Sequence, residues 1–265
     1  MLLHGAFHWP DCFDSITPLL KNAGYSVHNT TQLPSTGHGS SSSLQMDIDA
    51  VRAALLQILG GDPGQNNGHD CVLVMHSYGA VPAVQALQGL SSKERGAGQT
   101  AVLKLVYLTC NIPRVGESHL QQFGDWATQT GWIAEESESP VSINLGSLLI
   151  ITVQDDVVKF IGSPDALYNG LDEKLQLTLY HDLKTQSALT LLTPLEYAGY
   201  KEIPGWYLIT LKDKLMPPEF QKLCIEAVGD RMEHVEEINT GHSSFLVEPA
   251  AVTDFIIRAA TSTGV

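Results

Sequence analysis

Every residue from Cys71 to Met75 is apolar, a run of the length expected for a strand buried on both faces. Ala80, Val81, Ala83, Val84, Ala86 and Leu87 then recur at helical spacing. Only His76, Ser77, Tyr78 and Gly79 stand between the two patterns, so the strand must turn directly into a helix at the serine. Similar patterning runs outward on both sides. Leu2 and Leu3 read as the end of a strand cut short. Residues 11–23 read as a helix with Ile16, Leu19 and Leu20 inward, its regular part starting near Thr17 because Pro18 follows, and Gly24 suits its end. Residues 25–33 read as a strand, and 34–43 as a Gly- and Ser-rich loop. Ser43 can cap a helix whose apolar face is Val51, Leu55, Ile58 and Leu59. Residues 60–70 form a second loop.

After Gly89 a polar loop leads to a strand at 101–109. Later come a strand at 206–210, a helix at 218–228, a strand at 235–238 and a last helix from Pro249. Strands alternating with helices imply right-handed crossovers and a parallel sheet. The expected class is therefore α/β: a mostly parallel sheet flanked by helices. The alternation breaks between Ile112 and Tyr200. That stretch holds Phe123, Trp126 and Trp132, an acidic run at 135–138, a strand-like LLIITV and an apolar-periodic segment at 171–195. It reads as a mainly helical cap inserted over the sheet's C-terminal edge. The expected layout is then a core of 1–111 and 201–265 with a cap of 112–200.

Composition changes this picture little. At 265 residues and 43% hydrophobic, the chain can bury a sizeable core. A net charge of −14 disfavours nucleic acid and anionic membrane as partners, since both call for clustered Lys and Arg. The four cysteines, Cys12, Cys71, Cys110 and Cys224, lie far apart with no paired spacing, so no metal site or disulfide framework is expected. With no signal-like or membrane-length apolar run, the default expectation is a cytoplasmic protein. The oligomeric state stays open, a homodimer included.

The candidate chemistry begins at Ser77. A sharp strand-to-helix turn lifts a serine hydroxyl above the sheet and aims a helix N-terminus at the place where an oxyanion would form. The bland alternative is a buried strand followed by a helix, with Ser77 as an ordinary N-cap. A serine nucleophile needs a base, and the base needs an orienting acid. In parallel sheets such groups gather at the C-terminal strand ends. Asp213 follows the 206–210 strand and His242 follows the 235–238 strand, so the order is Ser77, Asp213, His242. Gly241 would let the histidine loop bend inward. Two backbone donors for an oxyanion are expected at Ala6, in the first strand-to-helix turn, and at Tyr78, directly after the serine. His4 and His76 read as supports for the turns. Phe7 and Tyr78 would bring aromatic faces to the pocket, though either could equally be packing, and Trp126 and Trp132 are candidate pocket residues of a type that is more often cap core than ligand contact.

The stretches LLHGAFHWP, VLVMHSYGA, LVYLTCNIPRVGES, LKDKLMPPEFQ and TGHSSFLVEP resemble the α/β-hydrolase superfamily over nearly the whole chain. More narrowly, the chain resembles the small cofactor-independent esterases that include plant methylesterases, hydroxynitrile lyases and fungal and bacterial relatives. Met75 stands where that family's elbow usually has glycine. The resemblance implies the triad Ser77, Asp213 and His242, oxyanion donors at Ala6 and Tyr78, and a cap near 112–200. It also implies no metal and no cofactor. The expected activity is a serine hydrolase acting on a small, largely apolar ester or lactone. The alternative is a lyase, dehydratase or cyclase of small-molecule biosynthesis that uses the same residues for proton transfer. A non-catalytic binding module is the third reading.

Overall fold

The computed structural model describes residues 1–29, 32–38, 42–60, 68–130, 142–144, 150–154 and 156–262. Its strands are β1 (Leu2–Leu3), β2 (Cys71–His76), β3 (Val102–Leu108), β4 (Ser142–Asn144), β5 (Ile150–Gln154), β6 (Val157–Phe160), β7 (Gln186–Ser187), β8 (Gly205–Thr210) and β9 (Met232–Ile238). The apolar run Cys71–Met75 lies in β2, inside a five-stranded parallel sheet of order β1-β2-β3-β8-β9.

Side chains alternate between the two faces of these strands, and each face has its own core. Leu3, Leu73, Met75, Leu105, Tyr107, Tyr207 and Ile209 pack with the helices Leu44–Ile58, Ala80–Ala86 and Pro218–Val228. Leu2, Val74, Val106, Leu108 and Leu208 pack with Thr17–Asn22 and Pro249–Thr261. Burial on both faces is why β2 and β3 read as continuous apolar runs. The register pairs Leu3 with Met75, His76 with Leu108, Leu108 with Leu208 and Thr210 with Ile238. All five strands therefore end at one edge, and the loops that follow them converge there.

Several local expectations hold. Ser43 caps its helix by accepting from the Met46 N–H at 3.4 Å, and Val51, Leu55, Ile58 and Leu59 are buried. Two expectations differ. The 25–33 segment forms no strand among its described residues and makes a single bridge, Asn29 to Leu2. Its neighbour β1 is two residues long, too short to template a ladder. The 11–23 helix is a 3-10 turn, Pro10–Phe13, followed by Thr17–Asn22. Ile16 and Leu20 face inward, whereas Leu19 is exposed, because the helix packs along a narrow stripe.

Between β3 and β8 the chain carries the helices His119–Thr130, Pro164–Tyr168, Glu173–His181 and Ala188–Leu192. It also carries a separate four-stranded antiparallel sheet of order β4-β5-β6-β7. LLIITV overlaps β5 at Ile150–Val153, but the partner strands leave no comparable signal. β7 is Gln186 and Ser187, both polar and both buried. Among the described residues no helix is long and apolar enough to cross a membrane.

Candidate active site

Ser77 follows β2 without a loop and adopts φ +51, a left-handed conformation that costs a serine about 1 kcal/mol or more. The turn continues as a 3-10 segment, Ser77–Gly79, into the helix Ala80–Ala86. It is this tight because Gly79 lies against the first strand-to-helix loop: a Cβ there would stand 2.5 Å from the His4 carbonyl oxygen.

Asp213 and His242 meet at the far side of the same edge. His242 Nδ1–H donates to Asp213 Oδ2 at 2.8 Å, and both side chains are buried. The carboxylate is held from all sides. Its Oδ1 accepts from the Leu215 and Met216 N–H groups at 2.8 and 2.7 Å, and Oδ2 also accepts from Thr210 Oγ1 at 3.0 Å. Gln221, fully buried, accepts from Thr210 N–H at 3.0 Å and donates to the Met216 carbonyl at 2.7 Å, clamping the loop that carries Asp213. With Nδ1 committed to the carboxylate, the lone pair of His242 falls on Nε2. Gly241 is needed for space and not for its φ: a Cβ there would stand 1.6 Å from Asn169 Oδ1. Asn169 in turn donates to the Lys212 carbonyl at 2.8 Å, so the segment between β3 and β8 packs directly on both loops.

Ser77 and His242 line one cavity with Ala6, Phe7, Tyr78, Leu120, Phe123, Leu167, Leu191, Leu215, Met216 and Phe220. The space open to the centre of a water molecule is about 60 Å³. At roughly 10–15 Å³ per water, that is room for a small organic group. The wall also holds His8, Asn111 and His119, which the sequence does not single out as site residues. Of the expected pocket residues, Phe7 lines the cavity. Trp126 stands behind it, with its ring 5.3 Å from Phe220 and 5.7 Å from Phe123. Trp132 lies outside the described residues. Ala6 and Tyr78, the expected oxyanion donors, both line the cavity.

The Tyr78 side chain points away from the chemistry. Its hydroxyl donates to Asp47 Oδ2 at 2.8 Å. Asp47 is fully buried and also accepts from the Ser35 N–H at 2.9 Å and from the Ser35 hydroxyl. Ser35 accepts from Gln186 Nε2 at 2.6 Å, and Gln186 accepts from Thr36 Oγ1 at 2.9 Å. Burial raises the Asp47 pKa, and these donors oppose the rise. The network ties the residue after Ser77 to β7.

A second feature is a group of buried imidazoles. His4 Nδ1–H donates to the Gly5 carbonyl at 2.8 Å, and its Nε2 accepts from the Leu33 N–H at 3.2 Å. His8 Nδ1–H donates to the Ala6 carbonyl, and its Nε2 accepts from Tyr168 Oη, both at 2.8 Å. His76 Nε2–H donates to the His242 carbonyl at 3.2 Å. Each bond fixes a neutral tautomer. Burial lowers the pKa of His4 and His8 to about 4, and holds His76 well below its ordinary value. The unfolded chain binds these protons near pH 6.5 and the folded one does not, so stability is full above about pH 6.5 and falls as the pH drops toward 4. Asp47 has the opposite sign, but it is one group against three. Urea unfolding should therefore show a lower midpoint at pH 5 than at pH 7.5, by an amount equivalent to several kcal/mol. An unchanged midpoint would mean that these rings are not held neutral.

The matched family agrees with this architecture. The model of the alpha/beta hydrolase family matches residues 1–255. The chain belongs to the α/β-hydrolase family. As a member it is an enzyme of the hydrolase type. It is 28% identical over 260 residues to the alpha/beta hydrolase nvfD of Aspergillus novofumigatus, covering 98% of this chain and 95% of that one. It is 25% identical to methylesterase 1 of Arabidopsis thaliana, with 98% and 95% covered. Among solved structures, polyneuridine aldehyde esterase superposes with a TM-score of 0.69 at 19% identity, covering 98% of this chain and 97% of that one. A pyrethroid hydrolase superposes with a TM-score of 0.68 at 18% identity, covering 98% and 96%. These α/β-hydrolase structures share the fold.

Proposed function

We propose that this α/β-hydrolase cleaves small, largely apolar carboxylic esters or lactones through a Ser77–His242–Asp213 triad and an acyl-enzyme. The observation that carries the reading is a left-handed Ser77 sharing a cavity with a histidine whose Nδ1 is committed to a buried carboxylate. The esterase names of several relatives support it.

In this reading Ser77 Oγ attacks the acyl carbon, and its proton passes to His242 Nε2. Charge on the carbonyl oxygen is met by the N–H groups of Ala6 and Tyr78, each such donor being worth about 3–4 kcal/mol in other enzymes. His242 then protonates the leaving alkoxide. Water, deprotonated by the same nitrogen, releases the acid and restores Ser77. Asp213 holds the Nδ1–H tautomer and stabilises the imidazolium. The described residues of the 112–200 stretch roof the pocket, exclude water and sort substrates by shape. Phe123, Leu167 and Leu191 from that stretch line the cavity, and Trp126 backs Phe123. Among the described residues no Lys, Arg, Asp or Glu lines it, which favours an uncharged substrate.

Turnover in ¹⁸O-labelled water tests the reaction class. Acyl transfer places one labelled oxygen in the acid product. A product formed with no solvent oxygen would replace hydrolysis with elimination, cyclisation or carbon–carbon cleavage on the same residues.

A further inference from the structure

Asn111 lies three residues past the end of β3, where its side chain is fully buried and lines the cavity that holds Ser77 and His242. Neither its amide nitrogen nor its amide oxygen has a hydrogen-bond partner among the described residues. In the same cavity, Nδ1 of His119 is also buried and unpartnered among the described residues, and the ring packs edge-on to Tyr78 at 5.9 Å. The rest of the lining is largely apolar. A buried polar atom left unpaired costs about 1–3 kcal/mol, so two such side chains in one small cavity call for a ligand.

We propose that Asn111 and His119 form a polar subsite that recognises an uncharged hydroxyl or carbonyl group on the substrate, within the cavity that holds Ser77. The proposal rests on the ester-hydrolase reading and narrows it: the substrate is an apolar ester with one additional neutral polar function. The chemistry selects that class. A carboxamide offers both a donor and an acceptor, which a hydroxyl satisfies in either direction. Burial holds the His119 ring neutral, with its pKa lowered to about 4. Among the described residues no Lys or Arg lines the cavity to balance a carboxylate or phosphate. The cavity's small volume keeps any bound group close to its lining. A site built to bond a hydroxyl discriminates strongly against the analogue lacking it, because its own polar atoms are then left unpaired.

The test is a matched set of methyl esters: methyl pentanoate and its 3- and 4-hydroxy analogues. Two readouts are taken, kcat/KM in the wild type and calorimetric affinity for the Ser77→Ala protein. The subsite predicts that at least one hydroxy ester binds ten-fold or more tighter than methyl pentanoate, and that Asn111→Leu removes this preference, read as the ratio of the two affinities so that any general effect of the substitution cancels. His119→Phe, which keeps the ring packing on Tyr78, should weaken the same preference and serves if Asn111→Leu does not fold. Equal affinities across the set, or a preference unchanged in the folded variants, would overturn the subsite. Discrimination in binding with no turnover of any ester would instead overturn the hydrolase reading and leave the subsite standing.

Discussion

Replacing Ser77 with alanine is expected to lower kcat for ester hydrolysis by roughly 10⁶-fold, the scale lost elsewhere when a triad nucleophile is removed. The loss should appear in kcat with KM little changed, because the cavity walls stay in place. Folding should survive. The Ser77 turn is held by the β2 ladder, by the helix that follows and by the close approach of Gly79 to His4, none of which uses the hydroxyl. The residual rate would come from binding and the backbone donors alone. Steady-state kinetics on a short ester, with the thermal midpoint measured alongside, check both halves. A variant within ten-fold of wild type would remove Ser77 as the nucleophile.

Asp213→Asn is expected to lower kcat by about 10⁴-fold with the fold intact. The direction follows from the bonds that hold the carboxylate. Oδ1 accepts from two backbone N–H groups, so the asparagine oxygen must occupy that side. Its NH₂ group then faces His242 Nδ1 in place of Oδ2. Two donors cannot face each other, so the imidazole shifts its proton to Nε2 and has no lone pair left for the Ser77 proton. The Thr210 hydroxyl can rotate to accept from the new NH₂, and Gln221 still clamps the loop. A variant that folds but is slow is thus the predicted outcome, measured by kcat and by an unchanged unfolding midpoint. Activity within ten-fold of wild type would mean that Asp213 does not set the tautomer.

Much of this arrangement is legible in the sequence because parallel sheets convert one-dimensional order into place. An apolar strand followed at once by a helix leaves Ser77 nowhere to sit but on the turn. Asp213 and His242, each just past a strand pattern, must come to the same edge. Gly79 is readable as a close approach, and Pro218–Val228 as a helix from its proline and its period.

The features that stay hidden depend on partners distant in the chain. Residues 25–33 have strand composition, but among the described residues their only strand pairing is one bridge to the two-residue β1. β7 is polar and buried because Gln186 finds Ser35, Thr36 and Thr190, a network that no local pattern announces. Gly241 looks like a flexible bend and is instead a gap filled by Asn169. His8, Asn111 and His119 enter the cavity from three separate loops or helix ends. The signal available for Asn111 is an uncharged polar residue three positions beyond an apolar strand, at the edge where the other reactive groups gather.

In the proposed mechanism His242 and Asp213 make Ser77 a nucleophile. Labelling the intact protein with a fluorophosphonate and mapping the adduct by peptide mass tests it most directly. One phosphonyl group per chain is expected, carried on Ser77, and none on Ser77 when His242 is replaced by alanine. An enzyme that turns over esters while its Ser77 peptide stays unmodified, or that carries the label on another residue, would contradict it.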